Sequence, residues 1–533
     1  MKRIHYFSIL FLLAVGLFSC KKFLTTTPAD FATPVANYST PKQLLNALAG
    51  VYDVLGADTR DMYADKLYDQ LGACTDEGFY ARASKVSGPQ VYNFDYTDPE
   101  IASLWASCYR GIERANNLIA NINVPANMDD AERQAILGEA MFLRGFFYFT
   151  LVSRWGDVPL RLEPTTVTGA SSINVPATPA KEVYAQVLKD MTEAIDKCRT
   201  ADFFNYSSRV SKTTVQGILA RVTLTMAGYP LLDKSKYEEA LHWANEVKNS
   251  GLHSLNPSYS QIFINQSSDI YDIKESMWEA DFSGNGLDIY KEEGRVGNTN
   301  GIAYSASNHP DTGYSYGFIN ATAKLYNLYG EGDLRRDWAI SPYRYSGTQR
   351  QLRGSLIYDR NCGKWRRTEE AHTPKNLNYT PENFPILRYA DVLLMLAEAD
   401  NQVNGQAPSN AAYDAINRVR RRAYGLPVDI PNATADLTPG LNREQFQLAI
   451  EDERARELCY ETLRRPDLIR WGKWTQTMAA LAAQMQTDLA NQSSLKYALL
   501  GPINAASSPK YLLYPIPSSE ISVNKAIIQN PGY

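Results

Sequence analysis

The chain has 533 residues, 44% of them hydrophobic and 21% charged, with a formal net charge of −4. That balance is typical of a folded globular protein rather than a disordered or fibrous one, and the length allows roughly three domains' worth of chain. A net negative charge argues against nucleic acid, another polyanion or an acidic lipid surface as the main partner.

At the start, Lys2 and Arg3 precede an apolar run from Tyr6 to Phe18, which closes on Leu17-Phe18-Ser19-Cys20. A charged opening followed by a short greasy segment reads as a secretory signal, because the run is well short of the roughly 20 apolar residues a membrane span needs. Small Ser19 before Cys20 resembles a bacterial lipobox, so residues 1–19 are expected to be removed and Cys20 acylated. Acyl chains, each methylene adding about 0.8 kcal/mol of burial, would hold the remaining chain on a membrane. Cleavage takes the formal charge to about −6. Residues 20–41, rich in Thr and Pro and without period, read as a tether.

Helical patterns dominate from there. Leu44 to Leu55 and Ile101 to Ile122 are predicted helices. Leu137 to Val152 is apolar nearly all round: Ala140, Leu143, Phe147 and Leu151 form one stripe, while Phe142, Phe146 and Phe149 lie outside it. Such a helix belongs in the middle of a bundle. Gly145 within it costs about 1 kcal/mol relative to alanine, which is tolerable where a neighbouring backbone comes close. Tyr184 to Ile195, Thr213 to Met226 and Tyr237 to Val247 follow, the last two joined by a turn around Gly228 and Pro230. The stripe Tyr237, Ala240, Leu241, Ala244 and Val247, with its Tyr-Glu-Glu-Ala-Leu opening, resembles the second half of a tetratricopeptide repeat. One hairpin cannot bury its own face, so several are expected to stack, with Leu387 to Val403 and Ala411 to Ala423 as later members.

Between about Asn256 and Pro385 the texture changes to Gly, Asn, Ser and Tyr with little periodicity. Trp278, Phe282, Phe318, Trp338 and Trp365 anchor this region, and so long a loop-rich insertion is usually functional. The chain holds 34 tyrosines, and a tyrosine's flat apolar face and hydroxyl suit either a wet binding surface or ordinary helix packing.

Catalytic signatures are weak. Gly313-Tyr314-Ser315-Tyr316-Gly317 matches the letters of a nucleophile elbow, but no apolar strand precedes it and tyrosines flank the serine, so a Gly/Tyr loop is expected. His242, His253, His309 and His372 have no metal-ligand spacing, and neither a P-loop nor a complete G-x-G-x-x-G occurs. The spatial separation of any acid pair suited to glycosidic cleavage is left open. Cys74, Cys108, Cys198, Cys362 and Cys459 are odd in number and scattered, so they read as small core residues. Arg418, Arg420, Arg421 and Arg422 form a basic run that Glu451, Asp452, Glu453 and Glu457 are expected to neutralise, with Asp452 and Arg456 spaced for an i,i+4 pair.

Five blocks in order resemble the SusD/RagB family of outer-membrane nutrient-binding lipoproteins: Gly138 to Leu160 with its W-G-D-V-P-L exit, Asn383 to Ala399, Ala415 to Leu426, Glu453 to Trp474, and the closing Tyr511 to Tyr533 with P-I-P and Q-N-P-G-Y. The resemblance covers essentially the whole chain. It implies a mostly α, SusD-like fold in which four tetratricopeptide-like hairpins pack against a loop-rich ligand-binding region. It further implies a lipid-anchored, surface-exposed lid on a SusC-like TonB-dependent outer-membrane transporter, holding a glycan or another oligomeric nutrient. No reaction, metal or cofactor is implied. The expected divisions are 1–19 signal, 20–41 lipidated tether, 42–255 helical region and 256–533 C-terminal region, with the insertion at 256–385. Two features depart from the family: Phe23-Leu24 precedes Thr25 instead of an acidic residue, and Lys21-Lys22 stand where an acidic export signal would be.

No family motif fixes the ligand residues, so the candidates rest on chemistry. Aromatic rings in aperiodic segments are stacking platforms for sugars, and adjacent polar groups hydrogen-bond hydroxyls. Two segments qualify: Asp76 to Tyr96, with Asp76, Tyr80, Arg82, Tyr92 and Tyr96, and Tyr290 to Asn320, with Tyr304, Asn308, Tyr314 and Tyr316. Rival readings are the same fold with peptide or other polymer cargo, a surface hydrolase, and a helical-repeat protein that binds only partner chains.

Overall fold

The computed structural model describes residues 37–56, 61–165, 173–282, 294–304, 312–347 and 349–533. The signal segment, Cys20, most of the tether and Asn308 lie outside these residues.

Each early helix starts at a side chain that satisfies otherwise unpaired backbone donors. Thr40 forms a capping box with Gln43 at the head of α1 (Pro41–Tyr52). Asp98 and Asp129 accept backbone N–H groups at the heads of α2 (Pro99–Asn121) and α3 (Asp130–Trp155). Helix α3 is long and apolar enough to cross a membrane, yet its most apolar stretch is 94% buried within the fold. It is a core helix, as its all-round apolarity predicts. Phe142 and Phe146 set themselves against the edge of Trp278 at centroid distances of 5.2 and 4.8 Å. A Cβ on Gly145 would lie 3.2 Å from Met191 Cγ and 3.4 Å from the Val187 carbonyl oxygen of α4 (Ala180–Ile195), so the glycine lets the two helices close up. Beside it Arg144 grips Asp190 through two hydrogen bonds of 2.8 Å.

The stack continues through α5 (Lys212–Ala227) and α6 (Lys236–Asn249), the expected hairpin, with Ala240, Ala244 and Val247 fully buried. After α7 (Tyr259–Ser267), helix α8 (Tyr389–Asn404) packs on α6, on α9 (Asn410–Ala423) and on α10 (Arg443–Leu458), and α11 (Trp474–Asp488) follows. Mutual stacking buries faces that no single hairpin covers.

Among the described residues, six short strands form three two-stranded antiparallel sheets: β1 (Gly78–Tyr80) with β3 (Ile319–Ala321), β2 (Ser276–Ala280) with β6 (Phe384–Arg388), and β4 (Tyr343–Ser346) with β5 (Gln349–Leu352). The helix expected from Leu387 therefore begins two residues later. Pro385 biases the residue before it toward extended backbone, and pairing with β2 holds the next few residues there. The aperiodic region also carries α7 and strands β2 to β5.

The basic run is neutralised as expected, though not always by the expected partners. Arg422 pairs with Glu457 at 2.7 Å and Arg420 with Glu453 at 3.1 Å. Arg418 instead takes Asp414 and Asp429, and Arg421 takes Asp436. Glu451 pairs with Lys473, outside the basic run. Arg456 pairs with Glu453 at 2.7 Å, not with Asp452, because Glu453 is buried where several guanidiniums converge and water screens it less. The same network takes in Arg335 and Arg388, both fully buried, with Glu275 and Glu461. All five cysteines beyond Cys20 are buried free thiols.

The closing block is stitched to the end of α3. Trp155 Nε1 donates to the Pro515 carbonyl at 2.8 Å, and Asn530 Nδ2 donates to the Trp155 and Tyr514 carbonyls.

Candidate functional site

Pairing of β1 with β3 joins the two segments singled out for their rings. The ladder aligns Tyr80 with Ile319, and Ala81 N donates to the Phe318 carbonyl at 2.6 Å, which carries the pairing past the strand ends. Strand side chains alternate faces, so residues two apart share one. In the loop leading into β3, Tyr314, Tyr316 and Phe318 are likewise two apart and form a chain of rings that ends on Tyr80. The Tyr80 and Phe318 rings stack at 5.0 Å and 24°, Phe318 and Tyr316 at 4.8 Å and 10°, and Tyr314 stands edge-on to Tyr316 at 4.8 Å. The result is a ladder of half-buried rings. Arg82 lies over Phe318 at 4.6 Å and donates to the Tyr316 carbonyl, tying its segment to the ladder.

The ladder opens on a cavity of about 380 Å³ lined by Arg82, Tyr304, Tyr314, Tyr316, Arg344 and Tyr345, among others. That volume lies within the roughly 300–1,000 Å³ of small-ligand sites. Tyr304 reaches its place through backbone bonds exchanged with Ser315, at 2.9 and 3.1 Å. Gly317 adopts a φ of +58°, and a Cβ there would sit 2.8 Å from Ala303, so the loop can turn this tightly only at glycine. Asn361 braces the turn, donating to Asn320 Oδ1 at 2.7 Å and accepting from Ala303 N at 3.2 Å.

Of the candidates, Arg82, Tyr304, Tyr314 and Tyr316 line one cavity, and Tyr80 stands in the ladder behind them. Three others belong elsewhere. Asp76 is buried in a bidentate pair with Arg464, both bonds 2.8 Å, and also meets Lys324; these cations hold its carboxyl well below the usual range against the cost of burial. It is a structural anion, not a ligand contact. Tyr92 is 2% exposed, packed against Trp474 and Tyr511, so its ring is a core ring rather than a stacking platform. Tyr96 is exposed, but its backbone carbonyl accepts from Ser518 N near the C terminus, and its side chain does not line the cavity. Asn308 lies outside the described residues.

The structure adds residues that the candidates did not include: Phe318, a ladder ring from within the second segment, and Arg344, Tyr345, Asp359 and Tyr497, which line the cavity from outside both segments. The alternation Tyr343-Arg344-Tyr345-Ser346 before Gly347 is a hairpin signal that would have flagged two of them. Tyr497 carries no such mark, since it arrives from the far end of the chain.

Ser315 is not poised for nucleophilic attack. It is 4% exposed and its hydroxyl donates to the Asn298 carbonyl at 3.1 Å. His253 is spoken for by Thr213 at 2.8 Å, and burial pushes it down to about 4. Among the described residues no cluster of His, Cys, Asp or Glu is arranged to hold a metal ion.

A larger cavity of about 690 Å³ lies between α1 and β2, lined by Tyr52, Arg114, Tyr206, Arg209 and Glu279 among others. Its polar groups are committed to one another. Arg114 bonds Asp53, Arg209 and the Tyr52 hydroxyl both bond Glu139, and Glu279 accepts from Ser276, Gln266 and Asn383. The smaller cavity differs in joining a ring ladder to donors at its edge.

Comparison with known proteins agrees with this architecture. A profile described as the SusD family matches residues 340–533, and one described as starch-binding associating with outer membrane matches residues 23–224. The chain is 24% identical over 565 aligned residues to the SusD-like protein P25 of Formosa agariphila, covering 98% of both chains. Over 172 residues it is 29% identical to the starch-binding protein SusD of Bacteroides thetaiotaomicron, covering 32% of this chain and 25% of the other. The crystal structure of a SusD homolog from Bacteroides thetaiotaomicron superposes with a TM-score of 0.86 at 28% identity, covering 96% of this chain and 99% of that one. Stacked helical hairpins, the stitched closing block and these matches from one end to the other establish that the chain belongs to the SusD/RagB family.

Proposed function

We propose that this protein binds an oligosaccharide at the outer membrane, without cutting it, and delivers it to a SusC-like TonB-dependent transporter. The observation that carries the reading is the ring ladder of Tyr80, Phe318, Tyr316 and Tyr314 opening on a cavity edged by donors. A sugar ring has an apolar C–H face and a rim of hydroxyls, and a ring platform flanked by guanidinium and amide groups complements both. The starch-binding description of the profile over residues 23–224 and the name of the starch-binding relative support the same class of ligand. Delivery requires affinity weak enough to release cargo, which stacking plus a few hydrogen bonds provides. The lipobox at Cys20 supports a lipid anchor at the outer membrane.

The test uses purified protein and a panel of oligosaccharides followed by titration calorimetry. Saturable binding without release of shorter products is the expected result. Absence of binding across the panel, or turnover of any member, would remove the reading. Co-purification with a large β-barrel protein and mass spectrometry of the mature N terminus test the partner and the acylated Cys20.

A further inference from the structure

The cavity wall carries an imbalance that a neutral sugar does not need. Two of its lining residues, Arg82 and Arg344, are cations, and among the described lining residues Asp359 is the one carboxylate. Asp359 is shared: Arg344 reaches it at 2.7 Å and Arg353 pairs with its other oxygen. Two guanidiniums thus share a single acid, and Arg82, which donates to backbone carbonyls, adds a third like charge nearby. The stretch from Arg344 to Arg360 holds Arg344, Arg350, Arg353 and Arg360 against Asp359 alone, in a chain whose net charge is −4.

The wall also retains unused hydrogen-bonding capacity. Arg344 Nε and Arg353 Nε are buried donors without a hydrogen-bond partner. Buried polar atoms are normally satisfied, and Nε is likewise open on Arg221, Arg295, Arg360, Arg422 and Arg465, so what sets these two apart is that they are neighbouring like charges at a cavity. Each of these arginines is about a quarter exposed, 28% and 27%; Arg344 lines the cavity, and Arg353 stands beside it on the shared Asp359. Burial, and then the like charge of Arg353, push Arg344 down to about 10, with Arg82 adding to the repulsion, yet it stays charged at neutral pH.

Resting on the glycan-binding reading of this cavity, we infer that its ligand is an acidic glycan, with a carboxylate or sulfate oxyanion placed at Arg344 and Arg353 while an apolar sugar face lies on Tyr316. Guanidinium is suited to this role, since its planar fork matches a carboxylate or sulfate and its bonds to an anion are charge-assisted. An oxyanion there meets the exposed part of the Arg344 guanidinium and relieves the repulsion among neighbouring like charges.

Calorimetric titration of the intact protein with trigalacturonate, a sulfated carrageenan tetrasaccharide, maltotriose and laminaritriose tests the inference. At least one acidic probe should bind more tightly than both neutral ones, and comparison of the two acidic probes shows which oxyanion is preferred. Raising NaCl from about 0.05 M to about 0.5 M should weaken the acidic probe several-fold and leave neutral probes unmoved, since salt screens exposed charge over a few ångström. Arg344→Gln should cost the acidic probe about tenfold in affinity, the scale of one charge-assisted hydrogen bond, and flatten the salt dependence of its binding. The salt series needs no variant, so it decides the matter even if the substitution unfolds the hairpin. Neutral probes bound as tightly as acidic ones, or acidic binding insensitive to salt, overturns the charge assignment and leaves glycan binding intact. Failure of all four probes to bind overturns both.

Discussion

Two clusters of arginine in this protein use the same side chain for opposite ends. In the core, Arg335, Arg388 and Arg422 are fully buried, and Asp333, Glu275, Glu453, Glu457 and Glu461 surround them. At the cavity, Arg344 shares Asp359 with neighbouring Arg353, and Arg82 is a second lining cation without a carboxylate of its own among the described ion pairs. The core cluster is saturated with anions because a buried guanidinium without a partner is prohibitively costly. The cavity cluster stays under-neutralised because water reaches it and screens the excess. Buried excess charge prevents folding, whereas excess charge at a wet cavity is available to a ligand.

The largest effect should follow from breaking the core. Glu457 meets Arg335, Arg388 and Arg422, so Glu457→Ala leaves three buried cations short of an anion and should lower unfolding free energy by about 3–5 kcal/mol in denaturant titration. A loss under about 1 kcal/mol would show that the network is far wetter than its burial implies.

Acid tests the same cluster without a mutation. The neighbouring guanidiniums overcome burial, lower the carboxyl of Glu457 to about 2 and hold that of Glu453 well below the usual range. A carboxyl depressed in the folded state contributes stability that is present above its unfolded value, and that stability is lost as pH falls through the folded one. Unfolding free energy should therefore drop between about pH 4.5 and pH 2, and the Glu457→Ala variant should show a shallower drop.

At the cavity the same kind of truncation should spare the fold and weaken binding. Replacing Tyr314 and Tyr316 together by alanine should cost roughly tenfold in glycan affinity, about 1.4 kcal/mol, while the thermal midpoint holds. Unchanged affinity would take this loop out of the site. The smallest effect belongs to Arg418, which meets Asp414 and Asp429 at the surface. Arg418→Ala should change stability by less than about 1 kcal/mol, because exposed ion pairs contribute little. A larger loss would break the distinction between burial and exposure on which the comparison rests.

Much of the scaffold was legible. The stripe Ala240, Ala244 and Val247 predicted its hairpin, and the apolar girth of Leu137 to Val152 predicted a core helix, since helical period reports directly which face is buried. The start of α8 was misplaced because Ile386 and Leu387 fit a helix stripe as well as a strand, and only β2 decides between them. Ring counting found Tyr314 and Tyr316 but equally chose Tyr92, which is core, because an aromatic residue in an aperiodic segment has the same local pattern in either setting.

Charge gives the clearest separation. The net charge of −4 argued against a polyanionic partner, and it is a sum over the whole chain. An acidic ligand senses only what lies within about a Debye length, and folding sets that local balance by burying the acids of α10 among core arginines while leaving Arg344 and Arg353 beside the cavity. The linear sequence by itself determined the helical periods, the lipobox letters and the family blocks, all of which are local or ordered along the chain. Only tertiary structure decided which tyrosines face a cavity and which acids neutralise the core arginines, because both depend on neighbours far apart along the chain.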